Sequence, residues 1–232
     1  MHILFTGDSN TAGEELNNYE DSMAAVISRH LGATHTNLGI TGEGNDYIYQ
    51  STIDYVKNNP KPDLIIVGFT EVSREQWYLN GKLHSALHLN GESLVSSKLQ
   101  PGEFEEKFSR RQKIWEKHIA HNGEWHRSVG IEWHNKMYNL HCMLDDQNIP
   151  HLFFHGFHCT KLFEQECQLD WNNSFFHPYD PAYPYVEWCL NNGFAEVTPG
   201  FRHFGSDAQL AYANMLINHL ESHSQYDTVC KR

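Results

Sequence analysis

Two residues from opposite ends of the chain could form a nucleophile and its base, Ser9 and His203. Ser9 follows the apolar run of residues 3–5 through Gly7 and Asp8. A buried strand that stops at such a turn holds a serine hydroxyl at the carboxyl edge of a sheet, where open α/β folds place their chemistry. A serine hydroxyl needs an adjacent base to act as a nucleophile. Taken alone, the tripeptide is better explained as a polar turn in which Asp8 or Ser9 caps the following segment.

Three further segments follow this turn in the order and at the approximate spacings of the SGNH hydrolases, also called GDSL esterases. They are Asn-Leu-Gly-Ile-Thr-Gly at 37–42, an apolar run ending in Gly-Phe-Thr-Glu at 64–71, and Gly-Phe-Arg-His at 200–203. The chain resembles this family over its whole length, and the ordered set supports the fold more than the activity. The chain, with Gly-Phe-Thr-Glu at 68–71 in the third block, also resembles bacteriophage-encoded members of the family.

The resemblance implies roles for four residues. Ser9 would be the nucleophile and His203 its base, while the backbone N–H groups of Ser9 and Gly42 would stabilise the oxyanion. Thr70 stands where the family has an asparagine, whose loss as an oxyanion donor costs about 3 kcal/mol in other hydrolases. A threonine hydroxyl could donate instead, although its reach is shorter.

Gly200 stands where the family has the aspartate that orients the histidine. This leaves the orientation of His203 to a backbone carbonyl, to water or to a distant carboxylate. Glu196 and Asp180 are two candidates, and the sequence favours neither.

The function that the resemblance implies is hydrolysis of small O-acyl esters, such as acetyl groups on a sugar, without a cofactor or a catalytic metal. The alternatives are a non-catalytic SGNH-like domain that binds a glycan or serves as a structural or interaction module, and a transferase that uses the same acyl-enzyme. The aromatic-rich loop 171–181 favours a sugar slightly, but it could equally be pinned to the core by its own aromatic rings.

Alternating apolar strands and helical stretches predict an α/β fold with a mainly parallel sheet. The resemblance makes this a flavodoxin-like three-layer α/β/α sandwich. We expect a single domain over residues 1–222, with an insertion at about 74–130 and a tail at 223–232. The predicted strands are 3–5, 34–38, 64–67 and 152–154; the predicted helices are 21–31, 47–57, 104–120, 133–144 and 208–220. Asn-Gly pairs at 80–81 and 90–91 predict hairpin turns in the insertion.

The formal net charge of −12 argues against a nucleic acid or an anionic membrane as the main partner, since both require a basic surface. Neutral or cationic substrates fit better. The sequence carries no run of about 20 apolar residues and no basic-then-apolar leader, so we expect a cytoplasmic protein. A bacteriophage origin would make association with the virion an alternative.

Histidine and cysteine offer further candidates for binding sites. The 17 histidines include pairs four residues apart, His84 with His88 and His151 with His155, with His158 three residues further on. We expect most of these to be surface or packing residues, and a structural metal is the less favoured alternative. The five cysteines lack a paired spacing and are expected to be free thiols; Cys159, next to His158, is expected to be a small buried residue.

Overall fold

A computed structural model of the chain describes residues 1–72, 74–79, 82–86, 123–157 and 169–231. The strands are β1 (His2–Thr6), β2 (Thr34–Asn37), β3 (Leu64–Phe69), β4 (Glu75–Leu79), β5 (Lys82–Ala86) and β6 (His151–His155). The α-helices are α1 (Ser9–Ala12), α2 (Met23–His30), α3 (Asn45–Asn58), α4 (Gly123–Asp146), α5 (Tyr185–Asn191), α6 (Ser206–Ser222) and α7 (Asp227–Cys230). Single 3-10 turns lie at Tyr19–Asp21 and Ser224–Tyr226.

The central sheet has four parallel strands in the order β2-β1-β3-β6. This winding is that of flavodoxin-like folds, in which the carboxyl ends of the strands form the functional edge. The predicted α/β class with a parallel sheet is therefore confirmed, and all four predicted strands lie within it.

Side chains alternate between the two faces of the sheet and build two separate cores. Ile3 and Phe5 of β1 pack with α2 and α6 on one face, while Leu4 packs with α3 and α4 on the other. Every residue of β3 is buried, as expected for a strand covered on both sides. The result is the predicted three-layer sandwich.

The described part of the predicted insertion contains a hairpin and a long helix. Strands β4 and β5 pair antiparallel with Leu79 opposite Lys82, and the predicted turn at Asn80-Gly81 falls between them in the sequence. The predicted helix 133–144 lies within α4, which starts ten residues earlier. The turn residues themselves, the second Asn-Gly pair and the predicted helix 104–120 lie outside the described residues.

The final segment, which was predicted as a tail over 223–232, packs onto the core. Tyr226 and Val229 are buried, and the Tyr226 hydroxyl donates to the His151 carbonyl at 2.8 Å. None of the helices in the described ranges combines the length and apolarity needed to cross a membrane.

Candidate active site

Ser9 lies at the first position of α1, just after the central strand β1 ends. Asp8 is the N-cap residue, and its carboxylate accepts the backbone N–H of Asn10 at 3.0 Å. The turn requires Gly7, because a Cβ there would lie 2.1 Å from Thr11 Oγ1. The Gly-Asp-Ser tripeptide is thus both a helix cap and a means of holding a serine at the carboxyl edge of the sheet.

The Ser9 side chain is nearly enclosed, with the residue only 2% exposed. Within the described residues, no hydrogen bond joins its Oγ to His203. Such contacts often tighten only when a substrate binds. A hydrogen bond does join the segment of Ser9 to the helix that follows His203: Gln209 on that helix donates to the Asn10 carbonyl at 3.2 Å.

His203 is held by a carboxylate that the sequence did not single out, Glu15. The His203 Nδ1 lies 3.1 Å from Glu15 Oε2, and the imidazole is largely buried. Because an ionised carboxylate can only accept, Nδ1 carries the proton and Nε2 keeps its lone pair when the ring is neutral. Hydrogen bonding from Thr198, and to a lesser degree the contact with His203, lowers the pKa of Glu15. The pair has the carboxylate-to-imidazole contact of a serine triad.

Glu196 and Asp180, the two candidates from the sequence, make other contacts. Glu196 Oε2 accepts the N–H of Gly200 at 2.6 Å, and Asp180 accepts a backbone N–H within its own turn. Of the three alternatives left open for orienting His203, the contact in the structure is with a carboxylate, that of Glu15.

The backbone at Gly200 has a conformation that favours glycine. Gly200 has φ of +87°, in the left-handed region where a side chain is strained. Arg202 is also left-handed, with φ of +60°, and its guanidinium lies 3.4 Å from Glu196. A second contact holds the loop between Glu196 and His203: the His203 carbonyl accepts the N–H of Val197 at 2.9 Å.

Thr70 lies at the end of β3, where the family has its oxyanion asparagine. The Thr70 N–H donates to Asn45 Oδ1 at 2.8 Å, and the Thr70 carbonyl accepts from Asn45 Nδ2 at 3.0 Å. The Thr70 hydroxyl is buried without a hydrogen-bond partner, so a group entering the site could accept from it. Asn45 therefore holds the backbone at the end of β3. Asn45 was not among the residues identified from the sequence, although its place at the first position of α3 could have pointed to it.

Gly42 belongs to the loop 37–42, which packs against the start of α1. Ile40 N–H donates to the Gly7 carbonyl at 3.2 Å, and the Thr41 hydroxyl donates to the Glu14 carboxylate. Gly42 itself is exposed and left-handed, with φ of +78°. Its role as an oxyanion donor stays a prediction.

A buried ion pair includes Asp8, the residue before Ser9. Arg74 Nη1 is 3.6 Å from Asp8 Oδ2, and both side chains are at most 5% exposed. The guanidinium also donates to the Glu43 carbonyl at 3.3 Å and stacks 4.7 Å from the centre of the Phe157 ring. Arg74 therefore ties the helix cap to two neighbouring loops. Arg74 could not be identified from the sequence, because it lies in a loop outside the four blocks.

Asn10, directly after the nucleophile, is buried with neither polar atom of its amide hydrogen-bonded. The Thr70 hydroxyl shares this property, as does Asp8 Oδ2 apart from its ion pair. Unpartnered buried polar atoms are uncommon in folded proteins. Two of these residues, Asp8 and Asn10, are the sequence neighbours of Ser9.

The aromatic-rich loop 171–181 faces inward. Trp171, Phe175 and Phe176 are all buried, and Trp171 packs edge-on against Phe175 at 4.9 Å. The loop is thus pinned to the core by its own rings. It does not offer those three rings to a sugar.

Among the histidine and cysteine candidates, His155 is a packing residue. His155 is buried against the Phe175 ring at 4.7 Å and contacts the Pro178 carbonyl at 3.2 Å. Cys142, Cys189 and Cys230 are free thiols, as predicted. Cys159, Cys167, His88 and His158 lie outside the described residues, as does the side chain of His84.

Comparison with solved structures finds similar folds at low identity. A two-domain esterase active on acetylated mannans is 13% identical, with 96% of this chain and 48% of that chain covered and a TM-score of 0.43. An acetyl xylan esterase (Est2A) from the rumen bacterium Butyrivibrio proteoclasticus is 12% identical, with 95% of this chain and 63% of that chain covered and a TM-score of 0.43. A protein from Desulfitobacterium hafniense DCB-2, named for the G-D-S-L family of lipolytic proteins, is 15% identical, with 94% of this chain and 98% of that chain covered and a TM-score of 0.38.

The chain spans about half the length of the two-domain esterase. No protein-family model matches the sequence, and neither does any curated protein. Likeness at this level leaves the reaction to be judged from the side chains of the site.

Proposed function

We propose that the chain is a serine esterase that cleaves small O-acyl esters, such as acetyl groups on carbohydrate. The observation that carries the proposal is the contact of 3.1 Å between His203 Nδ1 and Glu15 Oε2. A carboxylate at Nδ1 leaves Nε2 free to take a proton and stabilises the imidazolium that forms. Burial of the imidazole alone would not require a carboxylate at Nδ1.

The reaction begins when His203 Nε2 takes the proton of Ser9 Oγ and the oxygen attacks the ester carbonyl. The Ser9 and Gly42 N–H groups and the Thr70 hydroxyl donate to the oxyanion. The alcohol then leaves with the proton from His203. Water, deprotonated by the same histidine, attacks the acyl-enzyme and releases the acid.

Two features favour a small acyl group on a neutral or cationic alcohol. Ser9 is almost enclosed, which leaves little space for a long acyl chain. The formal net charge of −12 disfavours anionic substrates. The choice of an acetylated carbohydrate follows the family resemblance of the four sequence blocks.

The test compares wild type with Ser9→Ala on a short-chain activated ester and on acetylated xylan and mannan oligosaccharides. A serine-reactive phosphonate with mass spectrometry identifies the labelled residue. Turnover with labelling at Ser9, both lost in the variant, supports the proposal. Equal background rates without labelling contradict it.

A binding module is the second candidate, favoured by the missing hydrogen bond between Ser9 and His203. It predicts that acetylated oligosaccharides bind equally to wild type and Ser9→Ala, with no turnover in either. A transferase would release more product when a sugar alcohol is added as an acceptor, and the acylated sugar would appear by mass spectrometry.

A further inference from the structure

A cluster of metal-ligating side chains lies at the edge of the sheet opposite the candidate active site. His151 is the first residue of β6, whereas Ser9 follows the last residue of the parallel strand β1. His141 and Asp145 lie four residues apart on α4 and therefore on one face of that helix. One ligand atom from each of the three residues lies within 4.8 Å of the other two.

The turn between α4 and β6 produces this convergence. The Ile149 N–H donates to the Leu144 carbonyl at 2.9 Å, and the Asn148 N–H donates to the Asp145 carbonyl at 2.8 Å. Asn148 has φ of +52°, which closes the turn tightly. As a result, His151 lies beside the last turns of α4.

The ring orientations suit a metal ion. His151 Nδ1 donates to the Ile149 carbonyl at 2.8 Å, which fixes the tautomer and leaves the Nε2 lone pair pointing at His141. His141 Nδ1 lies 2.8 Å from that Nε2, and His141 Nε2 lies 3.5 Å from Asp145 Oδ2. Ligand atoms around tetrahedral zinc, at bonds of about 2.0 Å, are separated by about 3.3 Å. One ion can take only one nitrogen of His141, whose Nδ1 faces His151 and whose Nε2 faces Asp145. Because ligand atoms of the three residues lie within 4.8 Å of one another, rotation of the side chains would bring all three onto one ion.

Aromatic rings lie next to the two histidines, and a cavity lies next to Asp145 and His151. The ring of Trp171 lies 5.6 Å from His141, and that of Phe153 lies 5.0 Å from His151. On the other side is a cavity of about 410 Å³ whose lining includes Asp145 and His151. A water molecule there could complete the coordination.

We propose that His141, Asp145 and His151 bind a divalent transition metal ion such as zinc. Two imidazoles, one carboxylate and a water form a ligand set that such ions favour. The ion would join α4 to the start of β6. Its binding is independent of the esterase proposal, because no group of the Ser9 site takes part.

The experiment uses the full chain without an affinity tag, stripped with a chelator and titrated with Zn²⁺ by calorimetry and with Co²⁺ by visible absorption. We expect one equivalent of metal per chain, tetrahedral Co²⁺ bands and a higher Tm with Zn²⁺. Ser9→Ala should bind equally.

Asp145→Asn is the main variant, because its side chain is about half exposed and the fold should tolerate the change. We expect affinity to fall at least about tenfold, with Asp146→Asn as the matched control that binds like wild type. His141→Gln should abolish the Co²⁺ bands, while His30→Gln, at an exposed position, should keep them. Absence of stoichiometric binding by folded wild type, or equal affinity in Asp145→Asn and wild type, would overturn the proposal.

Discussion

Glu15 approaches His203 from a backbone conformation that glutamate seldom adopts, with φ of +63°. Non-glycine residues hold such conformations only when their surroundings stabilise them, and they concentrate at functional sites. The contacts with Thr198 and His203 supply that stabilisation. We therefore treat Glu15 as a positioning residue for the imidazole.

Glu15→Gln should lower kcat by about 10²- to 10⁴-fold while changing KM little. The amide keeps the size of the side chain but loses the charge that stabilises the imidazolium. Steady-state kinetics with the substrate that wild type turns over, together with Tm, measure this. Glu20→Gln, on an exposed side chain, is the control and should behave like wild type. An unchanged kcat in Glu15→Gln would remove Glu15 from the mechanism.

The Arg74–Asp8 pair allows a test of the turn before the nucleophile. Arg74→Met should destabilise the fold by about 3–5 kcal/mol, because the Asp8 carboxylate stays buried without this cation. Adding Asp8→Asn removes the charge while its amide oxygen can still accept the Asn10 N–H. The double variant should therefore be more stable than Arg74→Met alone, as measured by urea unfolding. If the second substitution only adds to the loss, the two groups are not coupled.

At the scale of elements, the turn from β1 to α1 should tolerate no side chain at residue 7. Gly7→Ala places a Cβ against Thr11, and overpacking of this kind costs about 1–3 kcal/mol. Because the clash moves the start of α1, kcat should fall as well. Gly193→Ala is the comparison: it has a left-handed φ of +78° and open space around it, so it should lose about 1–2 kcal/mol of stability and no activity. Equal kcat in the two variants would show that the turn does not position Ser9.

The elements that could be predicted are those with a local signal. The buried strand β3 is continuously apolar, and α2 carries an N-cap at Ser22 and a basic last turn. Glu15 and Arg74 were missed because each lies in a loop and acts through a partner far along the chain. The loop 171–181 was ambiguous because buried rings and stacking rings have the same composition.

For the whole molecule, stability should depend on pH through buried histidine. Burial lowers the pKa of His155 to about 4, although its contact with the Pro178 carbonyl opposes this, while the ordinary value is 6.5. The unfolded chain therefore binds a proton that the folded chain refuses between those values. The free energy of unfolding should be highest above pH 6.5, fall as pH decreases to about 4, and then level off with respect to this group.

Urea unfolding across this pH range, with a chelator present, measures the effect. His155→Gln should reduce the slope between pH 6.5 and 4, because its side chain does not titrate. His30→Gln, at an exposed position, should leave the slope as in wild type. The same slope in all three proteins would exclude His155 as the source.

The imidazole and its carboxylate are separated by 188 positions in the sequence. During synthesis, Ser9, Glu15 and the first strand leave the ribosome long before His203 exists. On the proposed mechanism, the nascent chain carries an unactivated serine until its last long helix has docked. Labelling of Ser9 by a phosphonate would report completed assembly of the whole domain, and a chain truncated before residue 203 would stay unreactive even with its nucleophile turn intact.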